Sequence, residues 1–245
     1  MIATGVNGFA TGLRAILRQD PDIVFVGEIR DTETADIAIR SALTGHLIFS
    51  TVHTNDAPST ITRMIDMGVE PFLVSSTVEG IMAQRLVRTI CPHCKVVEPI
   101  DDEWAAKLRK VDMTREQLGG QIAYGPGCDE CFHSGYAGRT AIYEFLPVTE
   151  RIRTMVMEGA GASEIKKEQI AEGFQTLRAD GRKKIIQGAT TPDDIEGSAS
   201  CGRRRAMWRH TGGAPRPLAV STRAPDVYLS LGVDAFDGEP VDASL

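Results

Sequence analysis

Two short apolar runs, residues 23–27 and 47–52, bracket a single helical pattern over residues 32–43, and this strand–helix–strand spacing constrains the fold more than anything else in the chain. A helix between two strands is what a parallel crossover needs, so the strands are expected side by side in one sheet with helices covering it. The first run is continuously apolar rather than alternating, and both read as buried strands. Ligands of such sheets lie beyond the carboxyl ends of the strands. Glu28 follows the first run and His53 the second, so both are expected on one rim.

The same period reading extends along the chain. Residues 10–18 read as a helix with Leu13, Ile16 and Leu17 on one side, ended by the Asp20-Pro21-Asp22 turn. Residues 58–67 suit a helix opened by Asp56 or Ser59 and stopped by Gly68. Residues 72–90 read as mostly helical. Residues 138–145 have strand character, and 150–195 return to helix, with Ile152, Met155 and Val156 on one face and a cap near Thr176. Thus the predicted class is α/β, a parallel sheet with flanking helices followed by a helical C-terminal region.

Four of the five cysteines fall in two pairs, Cys91-Pro92-His93-Cys94 and Cys128-Asp129-Glu130-Cys131, with 33 residues between them. Two C-x-x-C knuckles read as one tetrahedral zinc site built from Cys91, Cys94, Cys128 and Cys131. Four thiolates leave no open position on the metal, so the predicted role is structural. The pattern of Trp104, Leu108, Val111 and Leu118 predicts a helix within 101–118, which accounts for the long spacing. His93, within the first knuckle, reads as a polar knuckle residue, with a substitute ligand as the alternative.

Composition narrows the remaining classes. A net charge of −6 argues against a general nucleic-acid binder, since such proteins carry a basic footprint. No apolar run is long enough for a bilayer and the first residues lack a signal-peptide pattern, which makes the cytoplasm the expected compartment. Beyond Gly197 the character changes. Residues 198–225 hold six arginines and no acid, and residues 226–245 five acids and no Lys or Arg. Neither part keeps a helix period, so 197–245 is expected to be a solvated, disordered tail.

Taken together, these residues resemble the secretion ATPase superfamily, specifically the assembly ATPases of type II secretion and type IV pilus systems. Gln19-Asp20-Pro21-Asp22 with the following strand and Glu28 is similar to the family's Walker B region. The stretch from Thr44-Gly45-His46 to His53-Thr54-Asn55-Asp56 is similar to its histidine box. Ala83-Gln84-Arg85-Leu86-Val87-Arg88, leading into Cys91, resembles its approach to a tetracysteine zinc subdomain, and Gly138-Arg139-Thr140-Ala141-Ile142-Tyr143-Glu144 its exit. Alone, Glu28 reads as an ordinary strand-end carboxylate paired with Arg30; the histidine 18 residues later reverses those odds.

The resemblance implies a partial RecA-like P-loop NTPase core over 1–90, a zinc subdomain over 91–145, a helical part of the ATPase domain over 146–196, and an unmatched tail over 197–245. It implies ATP with Mg²⁺ and structural Zn²⁺ as cofactors. Glu28, His46 and His53 take catalytic roles, with Glu28 and His53 also binding the cofactor. Family members form homo-hexamers on the cytoplasmic face of the inner membrane and work with a membrane platform and other secretion or pilus proteins; nucleic acid is not a partner. No G-x-x-x-x-G-K-[ST] phosphate loop occurs in the 245 residues, nor the family's Asp box. The chain is therefore expected to match the C-terminal part of such an ATPase and to be inactive alone. The alternative is a non-catalytic, zinc-stabilised interaction module or truncated-gene product.

Overall fold

A computed structural model describes residues 8–199 and 226–231. The chain divides into two compact units, Met1–Ala83 with Glu144–Phe174 and Asp226–Leu245, and Gln84–Tyr143 with Gln175–Pro225.

In the first unit, α1 (Phe9–Leu17) precedes β1 (Ile23–Val26), α2 (Thr32–Leu43) and β2 (Leu47–His53). As the spacing requires, β1 and β2 are parallel, with Ile23 opposite Leu47 and Val26 opposite Ser50. Helix α2 is set by its caps. Asp31 accepts the Thr34 N–H at 2.8 Å, covering one of the orphan donors of the first turn. At the other end Gly45, at φ 99°, lets its own N–H reach Ala42 C=O and that of His46 reach Ser41 C=O, a Schellman closure. Ala35, Ala38, Ile39 and Ala42 face inward with no exposure. The small alanines let the helix lie close to the sheet, where Ile48 is also fully buried. Each such large aliphatic contributes roughly 1.5–3 kcal/mol by leaving water.

The strands are not buried throughout as the apolar runs suggested. Val24, Val26, Ile48, Ser50 and Val52 are covered, whereas Ile23, Phe25 and Phe49 are 62, 64 and 39% exposed. Alternation by two sends these side chains to the opposite face of the sheet.

Helices α3 (Pro58–Asp66) and α4 (Pro71–Thr77) follow, and then β3 (Val78–Ile90). The second half of the stretch expected to be helical is thus a strand. Its Met, Ala, Gln, Leu and Arg residues favour helix locally, but pairing within the sheet overrides that weak preference. A second correction concerns the sheet, whose order is β1-β2-β7-β3-β6, with β6 (Tyr136–Pro147) and β7 (Asp226–Leu231). Because β7 runs antiparallel to β2, pairing Asp226 with His53, the sheet is mixed rather than parallel. Strand β7 lies within the stretch expected to be a disordered tail; the remainder of that stretch beyond Ala199, Cys201 included, lies outside the described residues. Helices α6 (Glu150–Met157) and α7 (Ala162–Ala171) complete this unit, with Ile152, Met155, Val156 and Ile165 buried.

The second unit holds the antiparallel pair β4 (Val96–Pro99) and β5 (Gln121–Tyr124) and, between them, α5 (Asp102–Lys110), whose Leu108 is fully buried. Helix α8 (Leu177–Ile186) starts at Thr176, whose side chain accepts the Ala179 N–H. It packs on α9 (Pro192–Ala199), with Gly181 so close to Ile195 that a Cβ there would collide. Among the described residues no helix is long and apolar enough to cross a membrane.

Candidate functional site

Glu28 lies two residues past β1 and His53 is the last residue of β2, so parallel pairing delivers both to one rim. Local hydrogen bonds hold that rim in shape. The Thr51 hydroxyl donates to Gly27 C=O at 2.7 Å, and Ile29 N–H to Thr51 C=O at 2.9 Å. They carry Glu28 alongside β2. One carboxylate oxygen, Oε2, then accepts Arg30 Nε–H at 2.6 Å and His53 Nε2–H at 3.1 Å. The Glu28 side chain is 18% exposed, those of Arg30 and His53 66 and 50%. The Arg30 hydrogen bond holds the Glu28 carboxyl below its usual value; partial desolvation opposes it and the His53 contact adds to it. Glu28 is therefore an anion at neutral pH, suited to a hard cation or to orienting water. His53 can offer an N–H to a phosphate oxygen.

The structure does not bring His46 to this rim. His46 precedes β2, and seven residues of strand rise place it about 23 Å from His53 along the strand. Its Nδ1 lies 3.1 Å from Ser41 C=O and 3.3 Å from Thr44 Oγ1, at the C-terminal end of α2. There the imidazole meets the Ser41 carbonyl and the Thr44 hydroxyl, groups that close the end of the helix.

In the second unit, the sulfurs of Cys91, Cys94, Cys128 and Cys131 all lie within 4.8 Å of one another. Three separations are 3.9, 3.9 and 3.7 Å. A tetrahedron with Zn–S bonds of about 2.3 Å has edges of about 3.8 Å, so these three separations match zinc and the four donors are of the right kind and number to hold it. Cys91 and Cys131 are buried. Backbone geometry builds the cluster. Cys91 N–H donates to Gly135 C=O at 3.0 Å, and Gly125 and Gly135 approach so closely that a Cβ on either would strike the other's carbonyl. Phe132 and His133 take left-handed conformations just after Cys131, turning the second knuckle. Burial pushes the Cys94 thiol up to about 12. For Cys131 burial acts the same way, but N–H donors from Cys128 and Gly135 outweigh it and bring the thiol down to about 6. His93 is exposed and not part of the cluster.

Several further polar residues order these units, Asp56 among them as a helix-opening residue legible in the sequence. Asp194, 10% exposed, accepts both the backbone N–H and the Nε–H of Arg88 at 2.6 Å, and the Arg88 guanidinium lies 3.9 Å from the Tyr136 ring centroid. Asp56 receives Lys166 at 2.9 Å and Ser59 N–H at 3.1 Å. Glu144, read only as part of a motif, is 1% exposed. Its signal was available: in β6 it has the same parity as Ile142 and Leu146.

Comparison with known proteins places this geometry. The profile of a family described as type II/IV secretion system protein matches residues 3–201. The type IV pilus assembly ATPase TfpB of Acinetobacter baylyi is 48% identical over 190 residues, which are 77% of this chain and 32% of TfpB. Type II secretion system protein E of Pseudomonas aeruginosa is 47% identical over 188 residues, 76% of this chain and 36% of that protein. The chain thus spans about a third of the length of these curated relatives. Among solved structures, the pilus retraction motor PilT with bound ADP superposes with a TM-score of 0.54 at 29% identity, covering 78% of this chain and 43% of PilT. The Legionella pneumophila ATPase DotB shares the fold, with a TM-score of 0.53 at 23% identity over 78% of this chain and 42% of DotB. From the match over most of its length and the shared α/β fold, the chain belongs to the type II/IV secretion system protein family.

Proposed function

We propose that this chain supplies the carboxylate and imidazole rim of the nucleotide site in an ATPase of type II secretion or type IV pilus assembly. The observation that carries this reading is the Glu28–His53 contact of 3.1 Å at the carboxyl ends of two parallel strands. Bound ATP with Mg²⁺ would supply the phosphoanhydride whose hydrolysis drives such a motor. Glu28 would face the metal and the attacking water as an anion, and His53 would present its N–H toward the terminal phosphate. The Thr51–Gly27 and Ile29–Thr51 bonds keep the two at a fixed separation, so neither has to be ordered when the ligand arrives.

The remaining assignments belong to the same proposal. Residues 1–90 form part of a RecA-like core, 91–145 a zinc subdomain in which Cys91, Cys94, Cys128 and Cys131 hold a structural ion, and 146–196 the helical continuation. The assembled protein works as a homo-hexameric ring on the cytoplasmic side of the inner membrane, against a membrane platform. A second reading, a zinc-stabilised interaction module without catalysis, is favoured by one observation: the 245 residues contain no G-x-x-x-x-G-K-[ST]. Titration of the purified chain with Mg-ATP separates the two. Saturable binding with turnover abolished by Glu28→Gln establishes the motor reading for this chain. Absence of binding at millimolar ATP assigns it the module role.

A further inference from the structure

Strand alternation puts Glu144 between Ile142 and Leu146 on the covered face of β6, and all three are buried, at 0, 1 and 0% exposure. A carboxyl group in such a place must be partnered or lose its charge. Oε2 accepts the N–H of Ala57, at the start of α3, at 3.2 Å. Oε1 is buried with no hydrogen-bond partner. Gln169 of α7 has no exposure, and its side chain acts on Glu144. Its Nε2 donates to Phe145 C=O at 3.2 Å, which fixes the orientation of the amide and leaves its Oε1 buried without a partner as well. Two buried acceptors therefore lack a donor. A proton on Glu144 Oε1 turns one of them from an unmatched acceptor into a donor and removes a buried charge.

We propose that Glu144 is a neutral carboxylic acid in the folded protein, its proton on the unpartnered Oε1, and that in this form it is a positioning residue for the loop between His53 and α3.

The charged groups around it fit that state. Asp56, from the loop before α3, and Lys166, from α7, are the ones that act on it. Lys166 is bonded to Asp56 Oδ2 at 2.9 Å, while Asp56 Oδ1 accepts the Ser59 N–H that caps α3. Asp56 is thus the ionised member of the pair, and a second negative charge beside it is disfavoured. Burial raises the Glu144 carboxyl most; the Ala57 N–H, Lys166 and the Gln169 side chain oppose it, and the Asp56 charge reinforces it. For Asp56, burial is outweighed by Ser59 and Lys166, and the carboxyl is lowered. Two neighbouring carboxyls pushed in opposite directions take different tasks. Asp56 ends the loop and caps the helix. Glu144, through Ala57, ties that helix start to β6, three elements being joined at a point four residues after His53.

The sign of the pH effect follows. Glu144 keeps its proton when folded and loses it when unfolded, so its contribution is complete below the ordinary value of 4.5 and is lost as pH rises to the folded value. Glu144→Gln replaces the O–H by an N–H, keeps the acceptor for Ala57 and cannot titrate. Thermal melts of the full chain and this variant between pH 5.5 and 8.5 cancel every other titrating group. The expected result is a gap in Tm, variant minus wild type, that widens by about 3–5 °C per pH unit within the window. A constant gap, or a variant less stable at every pH, overturns the proposal.

Carbon-13 NMR of labelled glutamate carboxyls gives a second reading that does not depend on the variant's folding. A protonated-acid shift for Glu144 at neutral pH is expected; a carboxylate shift, meaning an ionised group bridged by water, overturns it. For the positioning role, the amide resonances of Asp56 and Ala57 should move with the Glu144 midpoint in wild type and lose that step in the variant. A step that persists in the variant refutes it. The importance of the loop rests on the nucleotide reading of His53, but none of these measurements uses ATP, so the two can fail separately.

Discussion

The cysteine cluster gathers four like donors at one point, whereas the Glu28–His53 rim gathers one carboxylate and one imidazole at the ends of two strands. The four sulfurs converge within 4.8 Å, and half of them are buried. Four sulfurs are the number a tetrahedral ion takes, and Gly135, packed against Gly125, accepts the Cys91 N–H. At the rim, Glu28 is engaged with Arg30 and His53, both half exposed or more, and the sequence offers no phosphate cradle beside them. A metal site made of side chains can be contained in a short segment. A nucleotide site also needs backbone N–H groups from a loop elsewhere.

Three tests sharpen or break this contrast. The largest effect belongs to the metal. Cys131→Ala should remove zinc and with it binding energy of the order seen in zinc-finger peptides, about 10–16 kcal/mol at neutral pH. Metal analysis and thermal melting should therefore show one equivalent lost and the second unit unfolding well before the first. If metal-free protein melts as wild type does, the two regions are alike and the contrast fails.

A smaller effect is expected where the rim is anchored. Asp31→Ala deletes the cap of α2, the helix linking the two rim strands, and should cost about 1 kcal/mol in urea unfolding while leaving bound zinc unchanged. Loss of zinc in this variant would mean that the two units do not stand independently. The smallest effect on stability is that of Glu28→Gln, because the ion pairs it breaks are exposed. Here the sign distinguishes it from Glu144. The Glu28 carboxyl is lowered, so its small contribution is present above the ordinary value of 4.5 and fades as pH falls through the folded value. Wild type and variant should melt together in acid and differ slightly at neutral pH; the reverse order would show that Arg30 and His53 do not stabilise the anion.

Much of this was legible because short-range rules dominate it. The strand–helix–strand spacing fixed a parallel pair and put Glu28 and His53 on one rim, and the C-x-x-C spacing foretold the sulfur cluster. Thr176 was readable as a cap because its chemistry is local. What the sequence concealed depends on distant partners. Residues 78–90 carry helix formers, and only neighbours in the sheet make them a strand. His46, 18 residues after Glu28, had the right spacing to share its site, but the parallel strand that follows carries the chain from one end of the sheet to the other and leaves it behind. Glu144 sat in plain view as an acid in an apolar alternation, yet its partners Ala57 and Gln169 are 87 and 25 residues away.

The uncovered face of β1 and β2 has a practical side. Phe25 and Phe49 stand opposite each other in register, next to Ile23, and all three meet water while the strands are fully folded. An environment-sensitive dye such as ANS will fluoresce on this native surface before any unfolding begins. Melting of this chain is therefore better followed by circular dichroism or calorimetry.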